Sequence, residues 1–216
     1  QHRSADRAGS SLERARPFVV GKLQNQRILL LRYGRTRDLD LRPHVESLGS
    51  CRISALTATT HAALMGSEGA GARTYFDALG KIVPVEWDFT GRVRRPPPDP
   101  INAMLSFGYT LLTNEGISAA CAAGLDPAIG FLHRPRTGRH SLALDLIEEL
   151  RPVVVDSVVL TLVTKRMVGL GDFDTTEELG CRLSPAARKL FLSAYERRML
   201  CLVTYLDTGR RVSYRV

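Results

Sequence analysis

Three acids and one histidine stand where their chemistry could be put to work. Glu115 in TLLTNEGIS lies within an apolar, helix-like segment, and Asp145 and Glu148 in LALDLIEE lie three apart, hence on one face of another helix. Two carboxylates about 4 Å apart repel by about 4 kcal/mol at an effective dielectric of 20, so a convergent pair requires a cation or a raised pKa. A divalent metal removes the conflict. His133, in GFLHRPRTGRH, would add a nitrogen ligand. Two carboxylates and one imidazole suit Mg2+ or Mn2+ and leave positions for water and phosphate oxygens, the ligand set of phosphoryl transfer. Each residue also has a plainer reading. Asp145, or Glu148 beside Glu149, could face solvent and pair with Arg151 or Arg139. His133 could bond a neighbouring carbonyl, and His140, between Arg139 and Ser141, has the surroundings of a surface residue.

The elements that must position these residues are mainly helical. Apolar residues Leu12, Ala15, Phe18, Val19, Leu23, Ile28, Leu29 and Leu30 recur near the helical period between Ala5 and about Arg35, with Pro17 predicting a kink or a break. A second helical stretch covers roughly Leu41 to Leu64, and a third ends near Gly80. VPVEWDFTGRVRRPPPDP, residues 83–100, is a basic proline-rich loop, because three successive prolines remove donors and fix the backbone. INAMLSFGYTLLTNEGISAACAAGL reads as a long buried helix carrying Glu115. A further long helix is predicted from Ser141, as its N-cap, to Met167 with a kink at Pro152. GLGDFDTTEELG is a loop or small hairpin, and a last amphipathic helix runs from Ser184 to about Leu206. The expected architecture is mainly α, close to a helix bundle: leading helices over about 1–82, the loop over 83–100, and metal-site helices with a C-terminal helix over 101–216.

Composition limits what such a bundle could do. The 216 residues are 44% hydrophobic, enough for a real core, and a formal charge of +8 favours a polyanionic partner, since each phosphate contact releases counterions. Arginine greatly outnumbers lysine, which suits bidentate phosphate recognition and is also a mark of GC-rich coding. Cys51, Cys121, Cys181 and Cys201 are too scattered for a zinc knuckle or disulfide framework, so a reducing, cytoplasmic setting is expected. LRPVVVDSVVLTLVTK is interrupted by Asp156 and is no membrane span. The chain starts at Gln1 and stops after the strand-like RRVSYRV, and reads as a piece of something longer.

NAMLSFGYTLLTNEG (102–116) and GLDPAIGFLHRPRTGRHSLALDLIEELRP (124–152) resemble the signature blocks of the CRISPR-associated Cas1 integrases. Upstream, GKLQNQRILLLR, MGSEGAGARTYFDAL and WDFTGRVRRPPPDPINA resemble that family's preceding helices and basic loop. Downstream, the Arg166–Met167 region, YERRM and TGRRVSYR fit as well, so the likeness spans almost the whole chain. It implies an α-helical catalytic domain with Glu115, His133 and Glu148 as metal ligands and catalytic residues, and Asp145 as a supporting acid. The β-rich domain with which family members begin, used largely for dimerisation, has no counterpart in this sequence.

The resemblance further implies a metal-dependent endonuclease and integrase. A 3′-hydroxyl of a short DNA duplex would attack a phosphodiester in a CRISPR repeat, with Mg2+ or Mn2+ as cofactor. Its implied partners are double-stranded DNA, the small Cas2 protein, and a second copy of the chain within a larger integration complex. Arg92, Arg94, Arg95, Arg134, Arg136 and Arg139 lie in loops flanking the site in sequence and are the candidate phosphate contacts. Two other functions are compatible with the residues: a non-catalytic DNA scaffold, and a nuclease acting mainly on branched DNA with water as nucleophile.

Overall fold

The computed structural model describes residues 8–204 and 209–215, with Ala8–Ser10 described by backbone alone. Seven α-helices account for most of them: α1 Ala8–Arg37, α2 Arg42–Thr57, α3 His61–Ile82, α4 Pro100–Ala122, α5 Ser141–Ile147, α6 Ser157–Thr164 and α7 Pro185–Met199. A π-helical turn, Pro152–Asp156, precedes α6. Two antiparallel hairpins, β1 Phe173–Thr176 with β2 Gly180–Leu183 and β3 Val203–Thr204 with β4 Arg211–Val212, and two 3-10 turns, Val85–Trp87 and Leu170–Asp172, complete the described elements. The fold class is mainly α, as the periodicity predicts.

The chain divides into two compact units. One comprises 1–82, 90–92 and 109–153, and the other 83–89, 93–108 and 154–216. In the first, α1, α2 and α3 pack pairwise. Leu23 and Leu30 of α1, Leu48 of α2, and Leu64, Tyr75 and Leu79 of α3 are nearly inaccessible to solvent and form its core. In the second, α6 packs on α7, and Phe191 of α7 meets Phe107 edge-on at 5.3 Å between ring centroids.

Several local expectations need correction. Of the kink or break expected at Pro17, the break does not occur: α1 runs through the proline as one helix. The proline is exposed, so the carbonyl deprived of its helical donor faces water rather than core. Residues 5–7, the expected start of that helix, lie outside the described residues. The stretch expected as one helix from Leu41 to Leu64 is two, because the backbone turns at Ala58–Thr60 and the Thr60 hydroxyl accepts from Ala63 N at 3.1 Å. Ser141 is the first helical residue and not the cap. Its hydroxyl donates to Arg134 O at 3.1 Å, holding the preceding loop instead. The helix beyond it is also shorter than expected, since the ladder yields to a π turn at Pro152, which has no N–H to donate. Ser184 does cap α7, accepting from Ala187 N, but α7 stops at Met199; residues 205 and 206 lie outside the described residues.

The proline-rich loop is pinned at both ends of its PPPDP run. Buried Asp99 accepts from Asn102 N and from Asn102 Nδ2, at 2.8 and 2.6 Å, starting α4 where four backbone donors would otherwise be orphaned. Asn102 Oδ1 in turn accepts from Val93 N, and Pro97 O accepts from Cys181 N. These bonds order the loop through the protein itself, leaving Arg94 and Arg95 exposed.

Candidate functional site

Asp145 organises the centre of the first unit. It is fully buried, and its carboxylate accepts four hydrogen bonds from one short loop. Oδ2 takes Phe131 N at 2.6 Å and Leu132 N at 2.9 Å; Oδ1 takes His133 N at 2.9 Å and the ring nitrogen Nδ1 at 2.7 Å. A solvated helix face is therefore excluded for Asp145. Four donors from 131–133 converge because GFLH wraps tightly around the side chain. Gly130 makes that path possible: a Cβ there would meet Asp145 Oδ2, His133 O and the Ser141 backbone carbon, each at 2.8 Å. The Phe131 carbonyl is held from outside by the Ser11 hydroxyl and His61 Nε2, both at 3.1 Å.

The Asp145 bond fixes the chemistry of His133. With Nδ1 engaged by the Asp145 carboxylate, Nε2 is the ring nitrogen left to meet a ligand, the arrangement common among metal-ligating histidines. The structural alternative, a ring bonded to a carbonyl oxygen, is replaced by a ring bonded to a carboxylate.

Glu148 is buried as well, at 3% exposure, and lies among cations. Lys22 Nζ is 2.6 Å from Oε2 and Arg151 is 3.3 Å from Oε1. Burial by itself raises the Glu148 pKa; the charges of Arg151 and Lys22, with His133 contributing, outweigh it and bring the pKa down to about 2. The Arg151 partner expected for a solvated Glu148 is thus present, in a buried setting. Lys22 also donates to Glu68 of α3 at 2.5 Å. Arg151 stacks over Tyr109 at 4.9 Å, and Arg92 over the same ring at 5.5 Å.

Glu115 is half-buried on α4, one residue before Gly116, where α4 passes close to α5. A Cβ on Gly116 would lie 3.0 Å from Ile147 Cγ2 and 3.2 Å from Ala143 O, so only glycine lets the two helices approach this closely. Glu115, His133, Asp145 and Glu148 thus all belong to one unit, supplied by α4, the GFLH loop, and α5 with its C-cap. As the side chains stand, no group of three His, Cys, Asp or Glu residues among those described is gathered tightly enough to hold a metal ion. The donors nevertheless suit one. Glu148 Oε2 is a buried carboxylate oxygen whose one close polar neighbour, Lys22 Nζ, is poorly aligned with it, so the oxygen is held mainly by charge.

Of the candidate phosphate contacts, Arg134 and Arg136 are exposed and Arg139 is half-buried, all on the loop between GFLH and α5. Arg92 is half-buried against Tyr109, while Arg94 and Arg95 belong to the second unit. Lys22, Glu68 and Tyr109 join the site without appearing among the residues expected from sequence. For Lys22 a signal exists: it shares the stripe of Ala15, Val19, Leu23, Gln26 and Leu30, all buried, and a lysine on such a stripe needs a carboxylate. Nothing in local spacing points to Glu68, which lies 46 residues away.

The protein-family model described as "CRISPR associated protein Cas1" matches residues 1–197. A "CRISPR-associated endonuclease Cas1 3" from Thermus thermophilus is 44% identical over 201 residues, covering 93% of this chain and 58% of the relative. A "CRISPR-associated exonuclease Cas4/endonuclease Cas1 fusion" from Geobacter sulfurreducens is 40% identical over 213 residues, 94% of this chain and 38% of the relative. Among solved structures, a casposase bound to integration product superposes with a TM-score of 0.88 at 26% identity, over 99% of this chain and 59% of that one. A Cas1 protein from Thermotoga maritima does so with a TM-score of 0.78 at 31% identity, over 89% and 60%. The chain belongs to the Cas1 family. It spans little more than half the length of the stand-alone relative from Thermus thermophilus, and less of the fusion.

Proposed function

We propose that this chain is the catalytic part of a metal-dependent DNA integrase that joins 3′-hydroxyl ends of short DNA duplexes to a CRISPR array during adaptation. The observation that carries this reading is the His133–Asp145–Glu148 arrangement: an imidazole locked with Nε2 available beside a buried, ionised carboxylate with an oxygen lacking a directed hydrogen bond. Family membership and the likeness to a casposase bound to integration product support it.

Glu115, His133 and Glu148 would hold Mg2+ or Mn2+, which when bound lowers the pKa of a hydroxyl and neutralises charge developing on phosphate oxygens. Asp145 keeps the imidazole turned and its tautomer fixed. Arg151 holds the second oxygen of Glu148, limiting rotation of that carboxylate. Arg134 and Arg136, exposed beside the loop, would lie along a phosphate backbone; Arg94 and Arg95, exposed on the second unit, are separate candidates for phosphate contact. Transesterification exchanges one phosphodiester for another, so these residues need only align the hydroxyl with the phosphorus and offset charge. Cas2 and a second copy of the chain are the proposed partners; a partial Cas6-RT-Cas1–Cas2 complex has a TM-score of 0.84 to this chain.

Strand-transfer assays test the reading. Glu115→Gln, His133→Ala and Glu148→Gln are each expected to lower joining by about a hundredfold or more, while duplex binding, dominated by arginine–phosphate contacts, changes little. Equal loss of binding and joining would assign these residues to structure. Branched-DNA cutting without joined product would assign the site to a nuclease.

A further inference from the structure

Lys22 lies between two carboxylates of the first unit. It is 7% exposed, on the core-facing stripe of α1, and reaches two carboxylates from different elements: Glu68 of α3 at 2.5 Å and Glu148, just after α5, at 2.6 Å. The two contacts differ in kind. Glu68 Oε1 accepts a directed hydrogen bond, whereas Glu148 Oε2 receives none despite its closeness. Lys22 thus aligns better with Glu68, while its ammonium lies close enough to Glu148 to hold that carboxylate ionised. Were Lys22 to move away, Glu148 would lose its contact at Oε2, and Arg151 would still hold Oε1.

We propose that Lys22 is a positioning residue whose ammonium stands in for the divalent cation at Glu148: it compensates the buried carboxylate when no ion is bound and withdraws onto Glu68 as the ion takes Oε2. This rests on the metal-site reading given above. The physical requirement is a cation that can leave. A buried carboxylate with no partner is strongly destabilising, so the folded chain needs a positive charge there before any metal arrives. Lysine meets this better than arginine, because its compact charge sits on a flexible stem and makes no two-pronged bond to the carboxylate. Glu68 supplies the place to withdraw to, with a side chain still 20% exposed. Glu68 is thus set apart from the three proposed ligands: it holds the lysine, and Lys22 and Glu68 together set how readily Glu148 accepts an ion.

The proposal makes opposite demands on two substitutions. Mn2+ affinity is read by titration calorimetry and by the paramagnetic resonance of free Mn2+ on the purified chain. Lys22→Met removes the competing charge and is expected to tighten Mn2+ binding about tenfold or more. Its thermal midpoint without metal should fall, and Mn2+ should restore it, since a ligand bound to the folded state alone stabilises that state. Glu68→Gln leaves Lys22 with Glu148 as its only carboxylate and is expected to weaken Mn2+ binding severalfold. Glu148→Gln is the control on the underlying reading and should abolish binding. If Glu148→Gln abolishes binding while Lys22→Met leaves it unchanged or weaker, the stand-in role is wrong and the metal site survives. If Glu148→Gln binds Mn2+ normally, the metal-site reading itself fails. Should Lys22→Met not fold even with Mn2+, Glu68→Gln decides: unchanged or tighter binding overturns the proposal.

Discussion

Asp145 shows how one side chain can hold a loop in place. Its two oxygens face only donors, three backbone N–H groups and an imidazole, so neither has room for the amide hydrogens of asparagine. Asp145→Asn is expected to destabilise the fold by about 2–4 kcal/mol, and urea unfolding together with amide exchange at Phe131–His133 would show the loss concentrated in that loop. Serine at 145 would behave the same way; a stability unchanged from the parent would mean that the loop finds its own support. Glu148 makes a different prediction, through pH. Its folded pKa of about 2 lies below its ordinary value of 4.5, so it binds a proton more readily when unfolded. Its contribution is complete above about pH 4.5 and is lost as pH falls toward 2. Urea unfolding should therefore show stability dropping over that window by up to about 3 kcal/mol more in the parent than in Glu148→Gln. These roles were only partly readable from sequence. Types and spacing indicate that Asp145 and Glu148 share a face, but whether that face meets water depends on α1, which is distant in the chain, and on how the nearby GFLH loop folds back over α5.

At the scale of elements, the site depends on two close approaches. Gly130→Ala would press a methyl group against three atoms at 2.8 Å, two of them backbone, and Gly116→Ala would press one against α5. Both should destabilise by about 1–3 kcal/mol, with Gly130→Ala the worse because the backbone it meets cannot rotate away. Chemical denaturation of the two variants checks the order. The helices themselves were legible from their apolar period, since periodicity records which face is buried. Their ends were less so. Pro17 is tolerated inside α1 because it faces water, and Ser141 serves a loop carbonyl; both outcomes turn on surroundings that a propensity does not contain. Lys22 is the instructive miss, a charge on an apolar stripe whose partners could be known only once α1, α3 and α5 were packed.

For the whole molecule, the excess positive charge supports a polyanion as partner, and its placement sharpens the test. Arg92 is engaged by Tyr109, so the proline-rich loop offers Arg94 and Arg95 as its exposed pair. Replacing both with glutamine should weaken duplex binding regardless of sequence and flatten the slope of log affinity against log salt by roughly 0.9 for each phosphate no longer neutralised. An unchanged slope would assign the pair to another role, since the loop is already ordered by Asp99, Asn102 and Pro97. The signature blocks made the family legible in the sequence because they contain the loop and helices around the site. They do not show how the side chains proposed as ligands are held in the folded chain. The central claim, that Glu115, His133 and Glu148 form one divalent-metal site, is tested most directly by anomalous diffraction from crystals of the chain containing Mn2+. The account predicts one strong peak within roughly 2.0–2.6 Å of a donor atom from each of the three residues. A peak elsewhere, or no peak with Glu148 still on Lys22 at saturating Mn2+, would contradict it.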